Sequence, residues 1–142
     1  MEDKVSNLNF KVTIEEGICN FEYFNEITLP DIMASESHAM NIMNEHKVDI
    51  LPFVIDLSKV EDAGVKIEVG DFGKIISSRT LFDRCSGVCI VGAKGNIKML
   101  ATLLNKTFLG GRIQFFDDPE EAKTAAKALT NLKIPLLEQD VD

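Results

Sequence analysis

In the stretch FVIDLSKVEDAGVKI, residues 53–67, an apolar run ends in Asp56 and Ser58, and Glu61 and Asp62 follow ahead of Ala63 and Gly64. A carboxylate two residues from a hydroxyl, at the end of a strand, lies where open α/β sheets bind their ligands. An enzyme could act through that pair. The same residue types more commonly close a loop by bonding nearby backbone amides. Turnover would also need a partner for the hydroxyl, and no Ser-His-Asp, Cys-His or HExxH arrangement is recognisable in the sequence. A lone carboxylate would have to sit in a cleft that raises its pKa. The reading is therefore not an enzyme, with no catalytic residue assigned.

Other stretches invite chemistry and decline it. VGAKGNI, residues 91–97, is a glycine-bearing turn whose free amides and Lys94 could hold an anion, but it matches neither GxxxxGK[ST] nor GxGxxG. A strand-to-helix turn with a capping Asn96 is the plainer reading, and VGDFGKI, residues 69–75, is read the same way. His38 and His46 are eight residues apart on or near one helix, so they point in directions differing by roughly 80° and cannot be adjacent ligands. They are expected to face solvent. Cys19, Cys85 and Cys89 fit neither a CxxC pair nor half a zinc site. No metal or cofactor is expected, and the odd thiol count suits a reducing cytoplasm.

What must position these residues is a chain of 142, the size of one ordinary domain. One domain over 1–142 is expected, with a core from about 10 to 132 and loosely attached termini. Hydrophobic residues at 45% and charged ones at 27% describe a globular protein with a real core. The 23 acids outnumber 15 scattered cations, which disfavours a phosphate backbone as partner, so no nucleic acid is expected. No apolar run approaches eighteen residues, so no membrane insertion is expected either. A soluble, cytoplasmic protein follows.

Alternation from Phe10 to Phe24 around Glu15-Glu16-Gly17 predicts a β-hairpin. Thr28, Pro30 and Asp31 open a helix whose buried stripe should be Leu29, Ile32, Met33, Met40 and Met43. ILPFVIDLS, residues 50–58, reads as a strand covered on both faces in mid-sheet. Val65, Val69, Phe72 and Ile76 fall at helical spacing, which predicts an amphipathic helix there despite Gly70 and Gly73. SGVCIVG, residues 86–92, is a second buried strand. The helix capped by Asn96 should bury Ile97, Leu100, Ala101, Leu104 and Phe108, and end at Gly110-Gly111. RIQFF, residues 112–116, is the last strand, and Asp118-Pro119-Glu120-Glu121 starts a helix running to about Leu132. Alternating strands and helices imply a largely parallel sheet with an antiparallel hairpin strand.

Taken in this order, NEITLPD before the first helix, PFVIDLSKV as the central strand, NKTFL at a helix end and FFDDPEEA opening the last helix resemble the STAS superfamily. Within it the chain most resembles a group of small bacterial SpoIIAA-like proteins. The resemblance implies a mixed five-stranded sheet with an N-terminal hairpin and about four helices. In phosphorylated members, Asp-Ser-Ser/Thr-Gly at a helix start takes the phosphate that breaks partner binding. That segment falls here on Asp62-Ala63-Gly64, where the acceptor hydroxyl is missing and Ser58 is the one nearby substitute.

The resemblance implies a non-catalytic regulatory or protein-interaction domain in signalling, with Ser58, Asp62, Ala63, Gly64 and the next helix, including ISSRT (76–80), meeting a protein partner. An alternative is a small apolar ligand or lipid, because SpoIIAA-like proteins are similar in layout to lipid carriers. Met33, Met40, Met43, Met99, Phe115 and Phe116 would then line a soft pocket. Met99 and Leu103 make their helix apolar beyond its inner stripe, which predicts either a partner contact, a homodimer interface in the simplest case, or packing against the first or last helix.

Overall fold

The computed structural model describes residues 3–6, 9–77, 83–106 and 112–129. The expected hairpin is present: strands β2 (Phe10–Glu15) and β3 (Ile18–Tyr23) pair antiparallel, and Glu16 and Gly17 turn between them at φ 54 and 77. An edge strand that the sequence pattern does not announce, β1 (Asp3–Ser6), pairs antiparallel with β2. β3 then runs parallel to β5 (Leu51–Asp56), β5 to β7 (Cys85–Val91), and β7 to β8 (Ile113–Phe116). The order is β1-β2-β3-β5-β7-β8, so the expected mixed five-stranded sheet is extended by one short strand, with β5 inside it.

Four α-helices occur among the described residues: α1 (Leu29–Glu45), α2 (Phe72–Ser77), α3 (Gly95–Leu104) and α4 (Pro119–Lys127). Thr28 caps α1, its Oγ1 accepting from the Asp31 amide at 3.2 Å and donating to the Asp31 carboxylate at 2.9 Å. Asp118 caps α4 in the same manner, accepting from the Glu120 amide at 3.2 Å. Such caps stabilise a helix by ~1 kcal/mol each. α4 ends at Lys127 rather than near Leu132, because the Ala128 and Leu129 amides close back three residues onto Ala125 and Ala126.

Both sheet faces are covered. Phe10, Val12, Phe21, Phe53, Val88 and Ile113 meet the elements on one side, α1 among them. Ile18, Val54, Cys89 and Val91 meet Ala122 and Ala126 of α4 on the other. β7 is buried at every residue, as a strand covered on both faces must be. In the α1 stripe Met43 is fully buried, and Leu29, Ile32 and Met40 pack partly buried against the core. Its deepest positions also include Ser35, Ala39 and Ile42.

Two local readings are corrected. Residues 60–66 are not helical: β6 (Val60–Lys66) pairs parallel with β4 (Asn25–Thr28) in a separate two-stranded sheet, followed by a 3-10 turn at Val69–Asp71 and the short α2. The helical spacing of Val65, Val69 and Phe72 therefore spans three elements. Pairing with β4 wins over local periodicity, and α2 is anchored by the buried Ile75. Second, α3 is capped by Lys94 rather than Asn96, which lies inside the helix. Gly92 and Gly95 make the preceding turn at φ 75 and 58, a region that favours glycine. Phe108, Gly110, Gly111 and residues 78–80 of ISSRT lie outside the described residues.

Candidate functional site

At the end of β5 the Asp56 carboxylate turns back on its own loop. Its Oδ1 accepts from the Ser58 amide at 2.8 Å and from the Ser58 hydroxyl at 2.6 Å. The Leu57 amide donates to Val91 O at 2.8 Å, which ties this loop to the end of β7. The glycine turn after β7 then presses on it: a Cβ on Gly92 would stand 2.8 Å from the Ser58 Cα. Asp56 and Ser58 thus close a loop, one carboxylate oxygen accepting from both the amide and the hydroxyl of Ser58.

Asp62, Ala63 and Gly64 sit inside β6, and the helix start expected around them is absent. Gly64 faces backbone, since a Cβ there would overlap the Asn25 carbonyl oxygen. Asn25 is itself strained into the left-handed region at φ 66, and its amide donates to Lys59 O at 3.1 Å. One residue therefore joins the Ser58 loop to the Ala63 strand. Ser58 and Ala63 are both exposed. Beside them Lys59 Nζ lies 3.0 Å from Glu22 Oε2 and 5.3 Å from the centre of the Phe24 ring.

Sequence reasoning missed the most distinct feature. An apolar cavity of about 120 Å³ lies between the first sheet face and the elements over it, lined by Phe21, Phe53, Ile55, Leu57, Ile67 and Ile97 among others. Glu36 of α1 and Tyr23 of β3 also reach its wall. The Ser35 hydroxyl donates to Ile32 O at 2.9 Å, so the 2.6 Å bond between Tyr23 and Ser35 is donated by Tyr23. Burial lifts the Tyr23 hydroxyl far above its usual range and keeps it protonated. None of Met33, Met40, Met43, Met99, Phe115 and Phe116 lines this cavity. Met40 instead packs on the core with Arg84 Nη1 3.7 Å from its sulfur, and Phe115 lies under Lys98. The lining comes from both sheets and from α1, α2 and α3, and no linear pattern marks where their side chains leave space.

Cys19, Cys85 and Cys89 are free thiols buried in the sheet. Desolvation pushes Cys85 up to about 12 and Cys89 up to about 11, and Cys19 higher still, so none offers a thiolate near neutral pH. His38 is half-buried against Phe10, with ring centres 5.8 Å apart, and does not face solvent fully as expected. Among the described residues no group of three His, Cys, Asp or Glu side chains could hold a metal ion, and no helix is long and apolar enough to cross a membrane. Met99 and Leu103 stand out from α3, 62% and 49% exposed.

The chain has a SpoIIAA-like fold, as the resemblance implied. It is similar in structure to an uncharacterized DUF3478-family protein with a SpoIIAA-like fold from Shewanella loihica PV-4, at 19% identity and a TM-score of 0.57, over 86% of this chain and 98% of that one. It is similar also to an anti-sigma factor antagonist from Mycobacterium paratuberculosis, at 19% identity and a TM-score of 0.52, over 89% of this chain and 95% of that one. No protein-family model matches the chain, and no curated protein does.

Proposed function

We propose that this chain is a non-catalytic regulatory domain that docks a protein partner on the surface shared by Ser58, Asp62, Ala63 and Gly64. The observation that carries it is the fold held in common with an anti-sigma factor antagonist, a protein described by what it opposes rather than by a reaction. Fold alone does not fix function. What supports the location is that Asn25 clamps the Ser58 loop to β6, so that two exposed segments form one firm surface. Ala63 has no hydroxyl, and a strand interior lacks the amide-rich helix start that stabilises a phosphate. Control by phosphate at this point is therefore not expected, and phosphate found on residues 62–65 would contradict it. Affinity capture from the source cell should yield a partner on the wild-type chain that Ser58→Arg and Ala63→Arg both lose. Capture of the same partner by all three proteins would remove the surface from consideration.

The cavity favours a second reading, a small apolar ligand. About 120 Å³ of space walled by aromatic and aliphatic side chains suits a single ring or a short acyl segment. Native mass spectrometry of freshly purified protein should then show a retained apolar mass. Leu57→Phe or Ile97→Phe, which fill the space, should release it while leaving the fold intact. A clean wild-type mass, with no apolar probe such as benzene or indole raising the melting temperature, would leave the cavity empty of function.

A further inference from the structure

The 33 residues from 84 to 116 contain five cations and no acid, whereas all 23 acids and the other ten cations lie elsewhere in the chain. A protein with a net charge of −8 thus keeps one basic segment, and α3 is its centre. Lys94, Lys98 and Lys106 follow one another at multiples of four residues along and just beyond α3, and all three are exposed. Met99 and Leu103 are one turn apart on the adjoining stripe. Five lysines elsewhere are matched to acids, Lys11 and Lys59 to Glu22, Lys66 to Glu26, Lys123 to Glu120 and Lys127 to Glu16, while Lys47 and Lys74 are exposed with no ion pair among the described residues. Among the described residues the three on α3 form no ion pair, and Lys98 lies 5.5 Å over the Phe115 ring.

We propose that the outer face of α3 docks on an anionic lipid surface, with Met99 and Leu103 entering the acyl boundary and Lys94, Lys98 and Lys106 reaching the headgroups. Exposed cations beside protruding apolar side chains are the make-up of an interfacial helix. Charge selects the surface, because a negative leaflet attracts the unmatched lysines. Two side chains are far short of the roughly 20–30 residues a side that a stable protein interface uses, and a second copy would set lysine against lysine. A fluid surface needs no complementary groove. This face and its role are independent of the partner surface at Ser58 and Ala63.

The test is co-sedimentation of the full chain with phosphatidylglycerol-rich vesicles and with phosphatidylcholine vesicles. Binding should appear on the first and not the second, and should vanish near ~1 M salt, where the screening length falls to about 3 Å. Lys98→Glu combined with Lys106→Glu should weaken it at least tenfold, and Met99→Ser combined with Leu103→Ser should weaken it several-fold. All four positions are exposed, so circular dichroism should show every variant folded. Equal binding to both vesicles, undiminished binding by the lysine variant, or no vesicle binding alongside dimerisation or capture of an acidic polypeptide through this face would overturn the proposal.

Discussion

Raising the pH from 8 to 11 is expected to remove a large part of the folding stability, and the buried thiols set the slope. Cys85 is held up to about 12 and Cys89 up to about 11, both chiefly by desolvation, and Cys19 is raised further by the same cause. Unfolded thiols release their protons near their ordinary value of 9.0. Above that pH the unfolded chain binds fewer protons than the folded one, so stability falls as pH rises. It is fully present below pH 9, and each thiol stops contributing to the loss once pH passes its folded value. One group costs about 1.4 kcal/mol per pH unit in this window, and three cost about 4. Over the two units from pH 9 to 11 the loss is about 8 kcal/mol, enough to unfold a domain at the lower end of the usual range of roughly 5–15 kcal/mol. Tyr23 steepens the fall above 10, its ordinary value, because it too is buried and raised.

The measurement is urea unfolding at a series of alkaline pH values, with maleimide labelling alongside. Native protein at pH 8 should label slowly at all three cysteines and rapidly once unfolded, since the thiolate is the reactive form. Cys89→Ala should reduce the pH slope by about a third whatever it costs at neutral pH, because the slope counts titrating groups and not packing. Stability unchanged from pH 8 to 11 would mean that the folded sheet tolerates thiolates.

Elements whose burial pattern is local were legible in the sequence. The hairpin alternates around a turn, β5 and β7 are continuous apolar runs, and Thr28 and Asp118 announce their helices through side chains that bond amides two or three residues away. β6 was illegible because its partner is remote: β4 is four residues long and runs straight into the cap of α1, so NEIT reads as a helix lead-in. Without β4, Val65, Val69 and Phe72 look like a helical stripe. The cavity was hidden for a related reason. Its walls come from two sheets and three helices, and a void depends on how their side chains fail to meet, which no spacing within one segment encodes. Ser58, Ala63, Met99 and Leu103 were legible as positions, while the bond that occupies Ser58 and the strand that holds Ala63 were not. Lys94, Lys98 and Lys106 read as scattered because their shared freedom from acids shows only once the ion pairs of the fold are known.

Replacing Gly64 or Gly92 by alanine should destabilise the chain by about 2–4 kcal/mol each, far more than the same change at Gly73. At Gly64 the new methyl would overlap the Asn25 carbonyl oxygen and come within 3.0 Å of the Glu26 Cα, so the neighbour is backbone and cannot swing aside. The register of β4 against β6 shifts between Asn25 and Ile27, so Gly64 lies in an irregular stretch of β6 that passes directly against the β4 backbone. Relief means parting them, and Ile27 of β4 is buried in the core and lines the cavity, so Gly64→Ala should also weaken retention of any apolar ligand. At Gly92 two costs combine. A φ of 75 is unfavourable for alanine by about 1–2 kcal/mol, and the methyl would meet the Ser58 backbone at 2.8 Å. At Gly73, inside α2, a Cβ meets nothing within 4 Å, so alanine should stabilise by about 0.5–1 kcal/mol through helix propensity. Urea midpoints of the three variants at constant m-value decide the matter. A Gly64→Ala protein as stable as wild type would mean that β4 and β6 do not pair as described, and with them would go the joined surface at Ser58 and Ala63 on which the partner is placed.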